Sequence, residues 1–261
     1  MPDPLVVVER AGAVTTLTLN RPERYNAFDP GLVRGLRQAV DVELEREETR
    51  ALVLTGAGKA FCAGGDVASM RERLESDPKA LFLELTGELH RLIMRVRTGP
   101  KPVVAAINGP VAGGGFGLAL ACDWRVAVPA ATFKPAYARL GIVPDGGLTY
   151  LLPRIAGWGI ANRIVLEDAS VGARDAHRWG IVDEVIDAKD LLSHALERAS
   201  TLAALPPRTF AETKRLLNES ILAGLTRHLE AERHANAESA ARPALKEGVA
   251  AFFEKRPPRF A

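Results

Sequence analysis

The chain reads as an α/β protein. Apolar runs of strand length alternate with stretches of helical period, two of those runs end in glycine-rich loops that open helices, and everything after Leu205-Pro206-Pro207 carries helical stripes only. The first strand is expected from Leu5 to Glu9 and the second from Val14 to Leu19, where Thr and Leu alternate. Asn20 to Arg24 reads as a loop. Asp29 is a good N-cap with Pro30 at the first helical position, and Leu32, Leu36, Val40 and Leu44 then mark one helical face. Ala51 to Thr55 is a buried-strand run that feeds the first glycine loop. A helix is expected from Leu81 to Arg97, a second buried strand from Val103 to Ile107, a small-residue helix through Ala121, and a strand from Trp124 to Val128. Helices over Arg208 to Ser220, Leu225 to Ala240 and Pro243 to Lys255 close the chain; their apolar stripes suit core or subunit contact.

Composition narrows the function. The chain has 261 residues, 47% of them hydrophobic and 25% charged, with net charge +2. That balance gives no footprint for nucleic acid, and no apolar run reaches membrane length. Cys62 and Cys122 form no disulfide framework and fit a reducing compartment, and the N-terminus carries no targeting pattern, so a cytoplasmic protein is expected. Cys62 sits inside a glycine loop but reads as a small core residue. His177, His194, His228 and His234 are scattered without ligand spacing, so no metal is expected.

The two glycine loops, Phe61-Cys62-Ala63-Gly64-Gly65-Asp66 and Asn108-Gly109-Pro110-Val111-Ala112-Gly113-Gly114-Gly115, carry the chemistry. Glycine clusters are commonly tight turns. Two such loops, each preceding a helix, can instead aim two unpaired backbone N–H groups at one anionic oxygen. A phosphate loop is excluded because Gly117-Leu118-Ala119 replaces Gly-Lys-Ser/Thr, and a dinucleotide fingerprint because Leu118 stands at its third glycine.

Together with Leu19 to Ala27, Lys101-Pro102, Leu140 to Gly147 and Ala250 to Arg256, these stretches resemble the crotonase, or enoyl-CoA hydratase/isomerase, superfamily along nearly the whole chain. The resemblance implies a spiral of β–β–α units over residues 1–205 and a helical trimerisation region over 206–261, assembled as a homotrimer or homohexamer. It implies an acyl-CoA thioester as substrate and no further cofactor. By matching position, Gly65 and Gly114 would supply the oxyanion hole. Arg24, Ala27, Ala63 and Asp66 would lie along CoA, with Phe252 and Lys255 contributed across subunits.

The hydratases of the family resemble one another in two water-activating glutamates, which would fall at Gly117 and Tyr137 here; both carboxylates are absent. Asp145 remains. By residue type it is an N-cap for a helix entering Leu148 to Leu152. By position it resembles the proton-shuttling aspartate of the ring 1,2-epoxyphenylacetyl-CoA isomerases, and burial beside Tyr137 and Ile142-Val143-Pro144 is expected to raise its pKa. Tyr137 lines the acyl pocket or packs. His90, with Asp145, also resembles the pairing of 4-chlorobenzoyl-CoA dehalogenases, although a packed or solvated histidine is the ordinary reading. Glu84, Glu88 and Glu167 are further acids of unassigned orientation. The leading expectation is therefore double-bond isomerisation through Asp145, with hydration of a 2-enoyl-CoA as the rival and a non-catalytic CoA-ester or RNA binder as a third class.

Overall fold

The computed structural model describes residues 3–73 and 76–260. Strands β1 (Val6–Ala11) and β2 (Val14–Leu19) form an antiparallel hairpin in which Val6 faces Leu19 and Ala11 faces Val14. Helix α1 (Pro30–Glu45) starts where Asp29 Oδ1 accepts the Leu32 N–H at 2.7 Å, and it buries Leu32, Leu36, Val40 and Leu44 at four-residue spacing. Strand β3 (Ala51–Gly56) runs parallel to β2. Two helices follow, α2 (Val67–Arg73) and α3 (Pro78–Thr98); Asp77 caps α3, which therefore begins three residues earlier than its apolar stripe indicates.

Next come β4 (Val103–Ile107), β5 (Val111–Ala112), α4 (Gly114–Ala121), β6 (Trp124–Ala127) and β7 (Thr132–Lys134). The chain continues through α5 (Leu148–Ala156), α6 (Trp158–Leu166), β8 (Val171–Gly172), α7 (Ala173–Arg178), β9 (Glu184–Val185) and α8 (Leu191–Ala203). Three helices close it: α9 (Pro207–Leu222), α10 (Leu225–Ala240) and α11 (Pro243–Phe253).

The main sheet has the order β1-β2-β3-β4-β6-β9, and every pairing after the hairpin is parallel. All residues of β3 and β4 are buried, as expected for parallel strands covered on both faces. A second sheet, β5-β7-β8, has strands of two or three residues, too short to leave a period in the sequence. Its role is to carry the chain from the second glycine loop to Tyr137.

The parallel strands deliver three loops to one edge of the sheet, at the C-terminal ends of β2, β3 and β4, where open α/β sheets place their ligands. The C-terminal helices fold back over this edge. Helix α10 packs on α3, and α11 covers the 3₁₀ turn Ala138–Leu140 so closely that a Cβ at Gly248 would lie 2.6 Å from the Leu140 backbone. Helix α9 is tied down by Lys214, whose Nζ donates to Asp123 at 2.6 Å, while Leu216, Leu217 and Ile221 face outward. No helix among the described residues is long and apolar enough to cross a membrane.

Candidate active site

The two glycine loops are zipped together by main chain. Cys62 pairs with Val111 as an isolated bridge, the Ala112 N–H donates to Cys62 O at 2.9 Å, and the Phe61 N–H donates to Pro110 O at 3.2 Å. The approach is close because Gly64, at φ +87°, lies 3.0 Å (measured from an ideal Cβ) from Ala112 O, and Gly113 takes φ +50°. Other residues rarely adopt either conformation. Gly114 then opens α4, so its N–H is one of the unpaired donors of a helix start. Among the described residues, no hydrogen bond engages the N–H of Gly65 or Gly114.

The segment after β2 braces the first loop. The fully buried Asn26 donates through Nδ2 to Ala57 O at 2.9 Å and Ala60 O at 2.8 Å. Arg21 donates to Ala27 O at 2.8 Å and pairs with Asp29 at 2.9 Å and Asp66 at 3.1 Å. Asn108, at the end of β4, donates to Gly56 O at 2.8 Å. Side-chain amides thus satisfy carbonyls that a buried loop cannot give to water.

A cavity of about 790 Å³ lies over these loops. Gly65, Gly114, Tyr137 and Asp145 line it, as do Arg24, Ala27, Ala63, Asp66, Phe252 and Lys255. The last two come from this same chain, whose α11 closes the cavity, so the expectation of a neighbouring subunit's contribution is not needed to place them there. Asp66 also accepts the Ala68 N–H at 3.1 Å, starting α2. Two residues expected in the pocket lie behind its wall instead. Gly117 is pressed against the loop after Asp145: an ideal Cβ there would stand 2.0 Å from Gly146 O. His90 is behind the same loop and accepts the Gly146 N–H at Nε2, 3.1 Å away.

Asp145 is buried, and the Tyr137 hydroxyl donates to its Oδ1 at 2.5 Å. Burial pushes its carboxyl up to about 7; the Tyr137 hydrogen bond pulls the other way, and the charge of Glu232 adds to the rise. It is not the N-cap of α5. That position is Gly147, and the helix start is capped from elsewhere: Glu232 of α10 accepts the N–H groups of Gly147 at 2.7 Å and Thr149 at 3.1 Å. Asn236 and Ser239, further along α10, hold Val143 O and Val143 N at 2.5 and 2.9 Å. The loop bearing Asp145 is therefore pinned from both ends by one helix, with residues that no local motif singles out.

A family model described as enoyl-CoA hydratase/isomerase matches residues 9–261. The 1,2-epoxyphenylacetyl-CoA isomerase of Escherichia coli (strain K12) is 37% identical over 248 residues, covering 95% of this chain and 94% of that protein. A putative enoyl-CoA hydratase of Thermus thermophilus is 39% identical, covering 98% and 100%. The crystal structure of an enoyl-CoA hydratase from Mycobacterium avium subsp. paratuberculosis K-10 superposes with a TM-score of 0.89 at 28% identity, over 100% of both chains. The chain belongs to the enoyl-CoA hydratase/isomerase family. It is an acyl-CoA enzyme of the crotonase superfamily, and the α/β spiral with C-terminal helices is that superfamily's fold.

Within this hydratase/isomerase-family site the remaining candidates fall away from the chemistry. Cys62 is fully buried, and burial pushes its thiol up to about 12, which rules out a thiolate at neutral pH. Burial pushes His90 down to about 4, and its one lone pair is taken by Gly146 N–H, so the ring is neutral with the proton on Nδ1. Glu84 and Glu88 are engaged by arginines, with Arg73 at 3.5 Å and Arg37 at 2.9 Å, and neither lines the cavity, nor does Glu167. No group of three or more His, Cys, Asp or Glu among the described residues is placed to hold a metal ion. Trp124 donates to Glu184 at 2.9 Å, a structural contact between β6 and β9.

Proposed function

We propose that this enzyme shifts the double bond of a 3-enoyl-CoA into conjugation with its thioester, using Asp145 as the single proton shuttle. The thioester oxygen accepts the N–H groups of Gly65 and Gly114. Asp145 removes a proton from C2, the electron pair of that C–H bond moves toward the thioester, and the dienolate charge rests on the oxygen. The protonated Asp145 then returns the proton to C4, leaving the double bond between C2 and C3. Each oxyanion donor contributes on the order of 3–4 kcal/mol in a water-excluded site. A carboxyl near 7 is half ionised at neutral pH, which suits a group that must both take and give a proton. That one observation, a buried carboxyl poised near neutrality beside two free backbone donors in one cavity, carries the reading. The proton balance needs no cofactor beyond the CoA of the substrate.

Hydration of a 2-enoyl-CoA, with Asp145 orienting the water, is the second reading; the name of the Thermus relative favours it. Against it stands Gly117, where the carbonyl of Gly146 occupies the space a glutamate side chain would need. Ultraviolet absorbance of the conjugated thioester separates the two. Under isomerisation a 3-enoyl-CoA gains absorbance and a 2-enoyl-CoA holds steady; a falling signal from the 2-enoyl ester sinks the isomerase reading. Asp145→Asn is expected to lower turnover by about 10³-fold or more. Assembly as a trimer or paired trimers would cover Leu216, Leu217 and Ile221, and sedimentation of the full chain measures it.

A further inference from the structure

Two non-glycine residues with left-handed backbone meet at the cavity wall, and no step of the proposed reaction uses either. Ala136 has φ 62° and Asp168 has φ 50°. Such conformations persist in non-glycine residues only where surrounding contacts hold them, and they gather at functional sites. The contact here is direct: the Ala136 N–H donates to Asp168 Oδ1 at 2.7 Å. Asp168 is buried at the end of α6, lines the cavity, and faces Lys134 Nζ across 3.5 Å through an Oδ2 with no hydrogen bond among the described residues.

The segment it grips reaches both halves of the site. Lys134 O and Pro135 O each accept the N–H of Gly113 at 3.1 Å, one residue before the Gly114 donor. Ala136 is followed by Tyr137, whose hydroxyl reaches Asp145. We propose that Asp168 is a positioning residue: its carboxylate holds Ala136 in the left-handed turn that aims Tyr137 at Asp145. The inference rests on Asp145 being the base of the proposed reaction. It extends that reading to a residue that touches neither the base nor the thioester donors.

Beyond the pair's own partners, the charged side chains of Glu23, Arg24, Asp66, Arg139, Lys255 and Arg256 line the same cavity. Asp145 faces Tyr137 from its own side, Glu232 from α10 and His90 from α3 across Gly146, and Asp168 faces Lys134 from β7. Positioning and direct charge predict opposite shifts. Removing the Asp168 charge would by itself ease ionisation of Asp145 and move the acid limb of kcat/KM to lower pH. Loosening Tyr137 removes a hydrogen bond to the carboxylate and moves that limb to higher pH.

The test measures kcat/KM against pH for the full chain with a 3-enoyl-CoA. Asp168→Gly should fold, because glycine takes φ 50° freely, yet it strips the acceptor from Ala136. It is expected to lower kcat/KM at pH 7 by about fivefold and to move the acid limb upward, as Tyr137→Phe does. The double variant should be no worse than Tyr137→Phe alone, while Asp168→Asn, which keeps an oxygen for Ala136, stays within about twofold of the native enzyme. An unmoved or downward limb in Asp168→Gly, or multiplied losses in the double variant, overturns the positioning role. An unmoved limb in Tyr137→Phe likewise overturns the positioning role, whereas Asp145→Asn keeping full turnover means that the base reading itself has failed.

Discussion

The Tyr137 hydroxyl gives its hydrogen to Asp145 Oδ1 across 2.5 Å, with both side chains buried in the cavity wall. Three influences set the carboxyl: burial and the charge of Glu232 favour the acid, the phenol favours the anion, and the balance falls at about 7. The phenol in turn is held far above its ordinary pKa by burial and by the charge of Asp145, so it remains a donor throughout the working range.

Tyr137→Phe removes the pull toward the anion. The acid limb of kcat/KM should move to higher pH, with the loss near pH 7 about tenfold and shrinking by pH 9. Steady-state rates over that range check this. A loss of equal size at every pH would mean that Tyr137 acts on the substrate and leaves the base unchanged.

Glu232 works in the other sense. Its negative charge raises the carboxyl of Asp145, so Glu232→Gln, which keeps the side chain's shape, should move the acid limb to lower pH. Glu232→Ala also leaves the N–H groups of Gly147 and Thr149 uncapped, a change that should destabilise the protein by about 2–3 kcal/mol. A pH profile for the first variant and a urea midpoint for the second separate charge from capping.

Asp145 also sets a cost in stability. Its carboxyl is about 7 when folded and near 3.8 when unfolded, so the folded state holds a proton that the unfolded state has released between those values. Stability should therefore fall as pH rises from about 4 to 7 and level off above. Asp145→Asn, which cannot ionise but still accepts from Tyr137, should gain on the order of 2–4 kcal/mol relative to the native chain at pH 8 and almost nothing at pH 4. Thermal unfolding at the two pH values gives the comparison, and equal differences at both would contradict it.

Much of this was legible in the chain, and the parts that were not share a physical cause. Asp29 and Pro30 announce α1 because a cap acts within three residues, and the glycine loops announce themselves because only glycine tolerates φ such as that of Gly64. Glu232, Asn236 and Ser239 gave no signal. They act on a loop some 85 to 96 residues earlier, and a polar residue at helical spacing looks the same whether it meets water or a buried N–H. The strands of the second sheet are too short for periodicity, and the left-handed turn at Asp168 has no glycine to mark it. His90 was visible as a residue, but its place behind Gly146 depends on how α3 meets the loop.

Gly117 has a steric prediction. Even Ala at this position brings Cβ to about 2.0 Å of the Gly146 carbonyl, so the loop carrying Asp145 must shift. Gly117→Ala should destabilise the protein by about 2–3 kcal/mol and depress kcat more than KM, and Gly117→Glu should gain no hydratase activity. Urea unfolding and the 2-enoyl-CoA assay read the two outcomes.

The seam between the glycine loops has an evolutionary consequence. The hydrogen bonds that join Phe61 and Cys62 to Pro110 and Ala112 are all main chain, and the donors they bring together belong to glycines. The end of the site with the two free backbone donors is thus written in main chain at glycine positions, whereas Tyr137, Asp145 and the rest of the cavity wall are written in side chains. A substitution at a side-chain position leaves the main-chain seam in place, whereas one at Gly64 or Gly113 disturbs it. On the proposed reading, a lineage built on this scaffold can change which acyl ester it transforms, and what it does to it, without rebuilding its hold on the carbonyl.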